Sequence, residues 1–152
     1  MVSLIRYEEK YAADFKRLNA AWLDKYGLME AADLLMLDNP EREIIGTGGC
    51  IFLAKIGNEI VGSAALIQEA PGEYELVKMA VSAAFQGMGI SRLLIEKCLE
   101  EASSLGAKKI FLVSNSQLTV ALKLYEKYGF RHVPVIANHY SNADVRMEKI
   151  LP

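Results

Sequence analysis

Three features of the element order predict an α+β fold with strands and helices mixed along one chain. Four strand-like segments come early, and two of them are joined by Gly57-Asn58, a two-residue hairpin signal that makes antiparallel neighbours. A strand then runs through a glycine-bearing turn, Gln86 to Ser91, directly into an amphipathic helix and on to an apolar strand. The order is therefore a strand meander followed by a β-α-β unit.

The individual elements follow from local pattern. Val2 to Tyr7 reads as the first strand. Tyr11, Phe15, Leu18 and Trp22 recur at helical spacing and Gly27 ends the helix, so these side chains are expected in the core. A short helix over about Glu30 to Leu37 stops before Asn39-Pro40, and its Glu30 and Asp33 read as solvated helix charges. Cys50 to Ile56 and Glu59 to Gln68 form the hairpin, and Ala70-Pro71-Gly72 turns the chain into a strand over Tyr74 to Val81. Ile90, Leu93, Leu94, Cys98, Ala102 and Leu105 mark one helix stripe ending near Gly106. Lys109 to Val113 is continuously apolar after its first residue, which predicts a strand in the buried middle of a sheet. A helix ending at Gly129-Phe130, a connecting segment over about Arg131 to Val135 and a last strand near Ala143 to Lys149 complete the chain.

The turn carries the first chemical inference. A strand entering a helix through Gly87 and Gly89 brings backbone N–H groups and a helix N-terminus together, a site suited to an anionic diphosphate. Glycine lets the backbone approach such a ligand closely. A P-loop is excluded because no Gly-Lys pair occurs in the chain, and the dinucleotide fingerprint fails at Arg92. Gln86-Gly87-Met88-Gly89-Ile90-Ser91 resembles the Gln/Arg-x-x-Gly-x-Gly/Ala signature of the GNAT (Gcn5-related) N-acetyltransferases, with Ser91 as the last small residue. Ala121-Leu122-Lys123-Leu124-Tyr125, closing with Gly129-Phe130, is similar to the family's second hallmark. Where the family often has Asn seven residues before that Tyr, this chain has Leu118, and Asn115 is the candidate for the equivalent contact. The resemblance runs from about Val2 to Met147, which implies a single GNAT domain over 1–152 with a central, mixed, mostly antiparallel sheet flanked by helices.

The resemblance implies acetyl-CoA as cosubstrate, with no metal, and names its contacts: Met79, Ala80 and Val81 on the strand, Gln86, Gly87, Met88, Gly89, Ile90 and Ser91 in the turn, Arg92 toward a phosphate, and Asn115. A strand bulge near Met79 is expected to free an N–H for the oxyanion, because bulges re-aim backbone groups. Tyr125 is implied as the general acid. Glu75 is implied as the base; an acceptor ammonium near pKa ~10.4 must lose a proton before it attacks. Strand alternation puts Glu75, Val77, Met79 and Val81 on one face, with Lys78 pointing away into solvent. Glu73, Glu69 or a water chain remain alternatives for the base. Tyr128 is assigned to packing, and His132 and His139 to the surface. Tyr140-Ser141-Asn142, and Glu30 or Asp33, are candidates to line the acceptor site.

Composition narrows the partners. The chain has 152 residues, 52% hydrophobic and 24% charged, with a net charge of −2, so it lacks the basic footprint of a nucleic-acid binder. Cys50 and Cys98 have no metal spacing and read as buried small hydrophobes. The N-terminus is not a signal peptide and no run approaches a membrane span, so a cytoplasmic protein is expected. The reading is an N-acetyltransferase that moves the acetyl group to a primary amine by direct attack in a ternary complex. No Cys or Ser sits in a nucleophile motif, so no covalent enzyme intermediate is expected. The alternatives are an acyl-CoA-binding module without catalysis and, disfavoured by Arg92 and by the hairpin, a Rossmann-type binder. The acceptor is a small-molecule or peptide amine, and the family also admits a homodimer.

Overall fold

A computed structural model describes residues 1–138 and 140–152; His139 lies outside the described residues. Its elements are β1 (Val2–Arg6), α1 (Ala12–Lys25), α2 (Ala31–Asp38), α3 (Pro40–Glu43), β2 (Cys50–Ile56), β3 (Glu59–Ala70), β4 (Glu73–Val81), α4 (Ile90–Ser104), β5 (Lys109–Ser114), α5 (Thr119–Lys127), β6 (Arg131–Val133) and β7 (Val145–Ile150). The strands make one seven-stranded sheet in the order β1-β2-β3-β4-β5-β7-β6. Among the described residues only the β4–β5 pair is parallel, as a crossover through α4 requires. The predicted α+β architecture, with a mostly antiparallel sheet between helices, is what folds. Two elements escape the sequence pattern. The expected connection after Phe130 contains β6, whose Arg131 and His132 are exposed and carry no alternation, yet it pairs with β7. The single turn of α3 starts on Pro40, whose fixed φ suits a first helical position.

Both faces of the central strands are covered, which is why β2 and β3 read as nearly unbroken apolar runs. Along β2, Cys50, Phe52 and Ala54 face a cluster with Ile90, Leu94, Ile95 and Cys98 of α4. Ile51 and Leu53 face Phe15, Leu18 and Leu37 of α1 and α2. Each fully buried Leu, Ile or Phe among them contributes about 1.5–3 kcal/mol. Gly62 lets α4 pack close to the sheet, since a Cβ there would lie 3.1 Å from both Ile90 and Leu94. Packing at Gly62 thus sets the depth at which α4 begins.

One irregularity in β4 reorganises everything beyond it. Ala65 pairs with Val77 but Ser63 pairs with Ala80, so Lys78 and Met79 together oppose Ala64. Lys78 absorbs the extra residue at φ 54°, the left-handed region, where it is the one non-glycine among the described residues. Buried side chains hold it there. The Ser63 hydroxyl donates to the Lys78 carbonyl at 2.7 Å, and the Asn19 amide donates to Ser63 Oγ and to the Phe15 carbonyl, each at 3.0 Å.

The bulge inverts strand parity. Val77 packs with the α1 cluster, whereas Met79 and Val81 join Leu76 on the α4 side. The expectation that Glu75, Val77, Met79 and Val81 share one face is therefore corrected. So is the solvated placement of Lys78, whose side chain turns instead into a buried ion pair with Asp33 of α2. Ser63→Ala would leave the Asn19 amide and the Lys78 carbonyl without their shared partner. A loss of about 1–3 kcal/mol in urea unfolding is the expected outcome, with a smaller loss for Ser63→Thr.

Candidate active site

Strand β4 stays beside β5 only over Glu73–Glu75, opposite Lys109–Phe111. Past that point the bulge carries β4 away, and the gap between the two strands opens into two adjoining cavities. One, of about 130 Å³, is walled by Asp33, Glu75, Lys78, Ser114, Tyr140 and Asn142. The other, of about 330 Å³, runs over the Gln86–Ser91 turn to α5. Trp22, Met79, Leu118 and Tyr125 line both, so the cavities meet there.

The larger cavity has the features of an anion site. Gly87 and Gly89 lie at φ 80° and 78°, where a side chain would be strained. A Cβ at either would touch nothing within 4 Å, so the space above the turn is open. Gly89 is the N-cap of α4 without a side-chain cap, and the first intrahelical bond is that from the Leu93 N–H to the Gly89 carbonyl at 3.2 Å. The N–H groups of Ile90, Ser91 and Arg92 therefore precede the helical ladder and face the opening. The Gln86 amide ties the turn back to β4 by donating to the Val81 carbonyl at 3.3 Å. Of the expected cofactor residues, Met79, Ala80, Val81, Gln86, Gly87, Gly89, Ile90, Ser91 and Arg92 line this cavity. Met88 points outward and does not. Asn115 lines the smaller cavity, its amide engaged with the Asn142 carbonyl at 2.8 Å and the Gln117 N–H at 3.0 Å.

The smaller cavity concentrates charge. Glu75 is 6% exposed, and burial, with Glu69 beside it, pushes its carboxyl up to about 8, while Lys78 and Arg146 pull the other way. Asp33 is also buried, contrary to its reading as a solvated helix charge. It accepts the Glu30 N–H at 3.0 Å and pairs with Lys78. Glu30 is not a free surface charge either. Its carboxylate takes the Ser141 N–H and hydroxyl at 2.9 and 2.7 Å and the Asn142 N–H at 3.3 Å, and these bonds hold it below the usual carboxylate range. The Tyr140–Asn142 loop is thereby strapped to α2. Tyr140 closes the cavity, its ring 5.5 Å from Lys78 Nζ, and its phenol is raised by burial and by Asp33 and Glu75. Glu73 pairs instead with Lys109 at 3.3 Å.

Residues 8–130 match the acetyltransferase (GNAT) family model. The chain belongs to the acetyltransferase (GNAT) family. An uncharacterised N-acetyltransferase, YvbK of Bacillus subtilis, is 33% identical over 106 residues, 67% of this chain and 68% of that one. Human N-acetylaspartate synthetase is 35% identical over 94 residues, covering 61% of this chain but only 31% of the synthetase. An acetyltransferase of the GNAT family from Staphylococcus aureus superposes at a TM-score of 0.92 with 19% identity and full coverage of both chains. PaiA N-acetyltransferase from Thermoplasma acidophilum, solved with coenzyme A, superposes at 0.78 with 15% identity and 99% coverage of both. At those identities the likeness establishes the fold.

In this GNAT chain Tyr125 stands on α5 at the junction of the cavities, its ring 6.0 Å from Phe130 in an edge-on pair. Burial raises its phenol well above the ordinary value, so it stays protonated. Tyr128 packs against the core and bonds Glu96, as a packing role requires. His132 is exposed on β6, and His139 lies outside the described residues. Both cysteines are buried, and desolvation lifts the Cys50 thiol to about 11, so neither is a nucleophile at neutral pH. Among the described residues no cluster of His, Cys, Asp or Glu could hold a metal ion, and no helix is long and apolar enough to cross a membrane.

Sequence reasoning missed four contributors to this GNAT site. Asn19 and Ser63 hold the bulge, Lys78 forms a wall with Asp33, itself a candidate from the sequence, and Trp22, assigned to the core, lines both cavities and packs edge-on to Tyr26 at 5.2 Å. The helical spacing of Trp22 was the one signal available, and it fits either placement. The raised Glu75 carboxyl has a consequence for folding. The folded state keeps a proton that the unfolded chain gives up near its ordinary 4.5, so stability falls as pH rises from about 4.5 to about 8. Glu75→Gln is expected to melt progressively higher than the wild type as pH rises through that window, with little difference below it, in thermal scans across pH.

Proposed function

We propose that this protein transfers the acetyl group of acetyl-CoA to a primary amine by direct attack within a ternary complex. The observation that carries the reading is the meeting of the two cavities at Tyr125, one floored by an anion-binding turn and the other walled by a buried, proton-holding Glu75. Residues 1–152 would act as one catalytic domain, since both core clusters lie on a single sheet.

The open turn fits a pyrophosphate. The backbone of Gly87 to Ser91 and the first N–H groups of α4 would hold it, with Arg92 beside them, and Met79, Ala80 and Val81 would line the pantetheine arm. When bound, acetyl-CoA supplies an activated thioester. Glu75 accepts the proton that the acceptor ammonium gives up, directly or through one water. A cationic acceptor in the cavity would itself lower the Glu75 carboxyl toward neutrality. As the new C–N bond replaced the C–S bond, Tyr125, held protonated by burial, would donate a hydrogen bond to the departing sulfur, which would leave as the free thiol with the proton shed by the acylated nitrogen. Its raised pKa favours hydrogen-bond donation over full ionisation. The bulge at Lys78–Met79 redirects the backbone where the carbonyl oxygen gains charge.

Relatives named as a ribosomal protein bS18-alanine N-acetyltransferase and as N-acetylaspartate synthetases support an amine of a peptide or an amino acid as acceptor. Both cavities are built from one chain, so this reading requires no second copy. The buried free thiols suit a reducing, cytoplasmic setting.

Calorimetric titration is expected to show stoichiometric acetyl-CoA binding, weakened at least about tenfold by Gly89→Asp, which sets a side chain and a charge against the phosphate. Thiol release should require an amine, and kcat should fall about 10²-fold or more in Tyr125→Phe and in Glu75→Gln. In the wild type, kcat/KM should rise with pH through a limb that Glu75→Gln removes. Binding without amine-dependent turnover would instead identify a non-catalytic acyl-CoA-binding module.

A further inference from the structure

The Asp33–Lys78 pair lies in the wall of the cavity that holds Glu75, with side-chain exposures of 4% and 6%. Fold stability gives little reason for it. An ion pair so buried recovers about what its desolvation costs, and apolar replacements of similar shape are often as stable. The pair also sits on the one left-handed non-glycine residue among those described, a conformation a solvated lysine would not need.

Its geometry points at the base. Without the bulge Lys78 would face away from Glu75; with it, the ammonium turns onto the Glu75 side of β4. Asp33 is fixed from the other direction. It is the third residue of α2, one of its oxygens accepts the Glu30 N–H at 3.0 Å, and the other meets Lys78 Nζ. The Tyr140 ring covers the ammonium. Lys78 is thus a cation on the strand of Glu75 and in the same cavity wall, its charge offset by a carboxylate on a different element, while Glu73, the other charge on that strand, pairs with Lys109.

We propose that Asp33 and Lys78 are positioning residues that tune the proton affinity of Glu75, Lys78 favouring its ionised form and Asp33 attenuating that effect. The assignment rests on Glu75 as the base of the proposed reaction, although its effect on the Glu75 carboxyl can be read without that role. The other titratable or charged groups around Glu75 are Glu69 from β3, Arg146 from β7, Tyr140 from the closing loop, which Glu30 at the start of α2 also faces, and Glu73 on β4 itself, paired with Lys109. Among the described cavity residues, α1 and β5 present only Asn19, Trp22, Leu23 and Leu112 to Ser114, none of which titrates, and α5 presents Tyr125. Glu69 and Arg146 are left untouched by changes at 33 and 78, so the pair can be tested against a constant background.

The sign of the effect separates tuning from scaffolding. Asp33→Asn removes a negative charge and releases Lys78 toward Glu75, so the Glu75 titration should move to lower pH by about one unit. Lys78→Gln should move it to higher pH by a similar amount. The double variant should return it close to wild type, and Lys78→Arg should match wild type because the charge is kept. The readout is an NMR titration of the Glu75 side-chain carboxyl in glutamate-labelled protein, assigned by its disappearance in Glu75→Gln, alongside the pH profile of kcat/KM. Opposite shifts in the two single variants support the proposal. Shifts in the same direction, or none, overturn it. If Lys78→Gln does not fold, Asp33→Asn and Lys78→Arg decide: a downward shift in the first with none in the second supports tuning, and any other pattern refutes it. If the kcat/KM limb survives in Glu75→Gln while the NMR shifts appear as expected, Glu75 is not the base but the tuning stands.

Discussion

The site depends on one extra residue in β4. Because Lys78 occupies the left-handed region and Ser63 holds its carbonyl, β4 leaves β5 after three paired residues and changes the face on which its side chains fall. The gap between those strands is what the two cavities occupy. The same irregularity places Lys78 in the cavity wall and moves Met79 and Val81 to the α4 side, next to the turn. The hydrogen bonds of Ser63 and Asn19 go to Lys78 and Phe15 rather than to the turn, yet they hold the conformation on which both cavities depend.

The two cavities differ in how they handle charge. Over the turn, the work is done by backbone: free N–H groups, two glycines and a helix start. This gives a fixed positive potential with no titratable group to protonate. In the smaller cavity the charges belong to side chains of α2 and β4, with Glu69 of β3 and Arg146 of β7 acting on Glu75 from behind the wall, and they balance one another. Glu75 can hold its proton to about pH 8 because Glu69 and burial outweigh Lys78 and Arg146. A group poised in this way responds to any cation that enters, and this response suits a site that must first bind an ammonium and then deprotonate it.

Much of this was legible in the sequence where local pattern and tertiary structure agree. The hairpin at Gly57-Asn58, the α4 stripe from Ile90 to Ala102, the apolar β5 and the glycine turn each follow from period, turn chemistry or helix capping. Glu75 and Tyr125 were reached through resemblance; Tyr125 stands at the cavity junction and Glu75 in the wall of the smaller cavity. What stayed hidden shares one cause. The resemblance implied a bulge near Met79, but a strand such as Glu-Tyr-Glu-Leu-Val-Lys-Met-Ala-Val carries no local sign of which residue is extra, so strict alternation misplaced Lys78 and Met79. Asp33 and Glu30 looked like ordinary helix charges because their partners, Lys78 and the Ser141–Asn142 loop, are distant in sequence. Trp22 keeps helical spacing whether it faces core or cavity, and β6 is too short and polar to show a period.

The strap from Glu30 to Ser141 and Asn142 separates the two cavities in design terms. The wall of the smaller cavity is borrowed from α2 and from a loop held to it chiefly by the Glu30 carboxylate, whereas the turn and α4 are fastened independently through Gly62 and Gln86. Substitutions in α2 or in the Tyr140–Asn142 loop can therefore reshape what enters the smaller cavity while the cofactor side keeps its geometry. A scaffold divided in this way can acquire a new acceptor by changes at one latch, without rebuilding the machinery that delivers the acyl group.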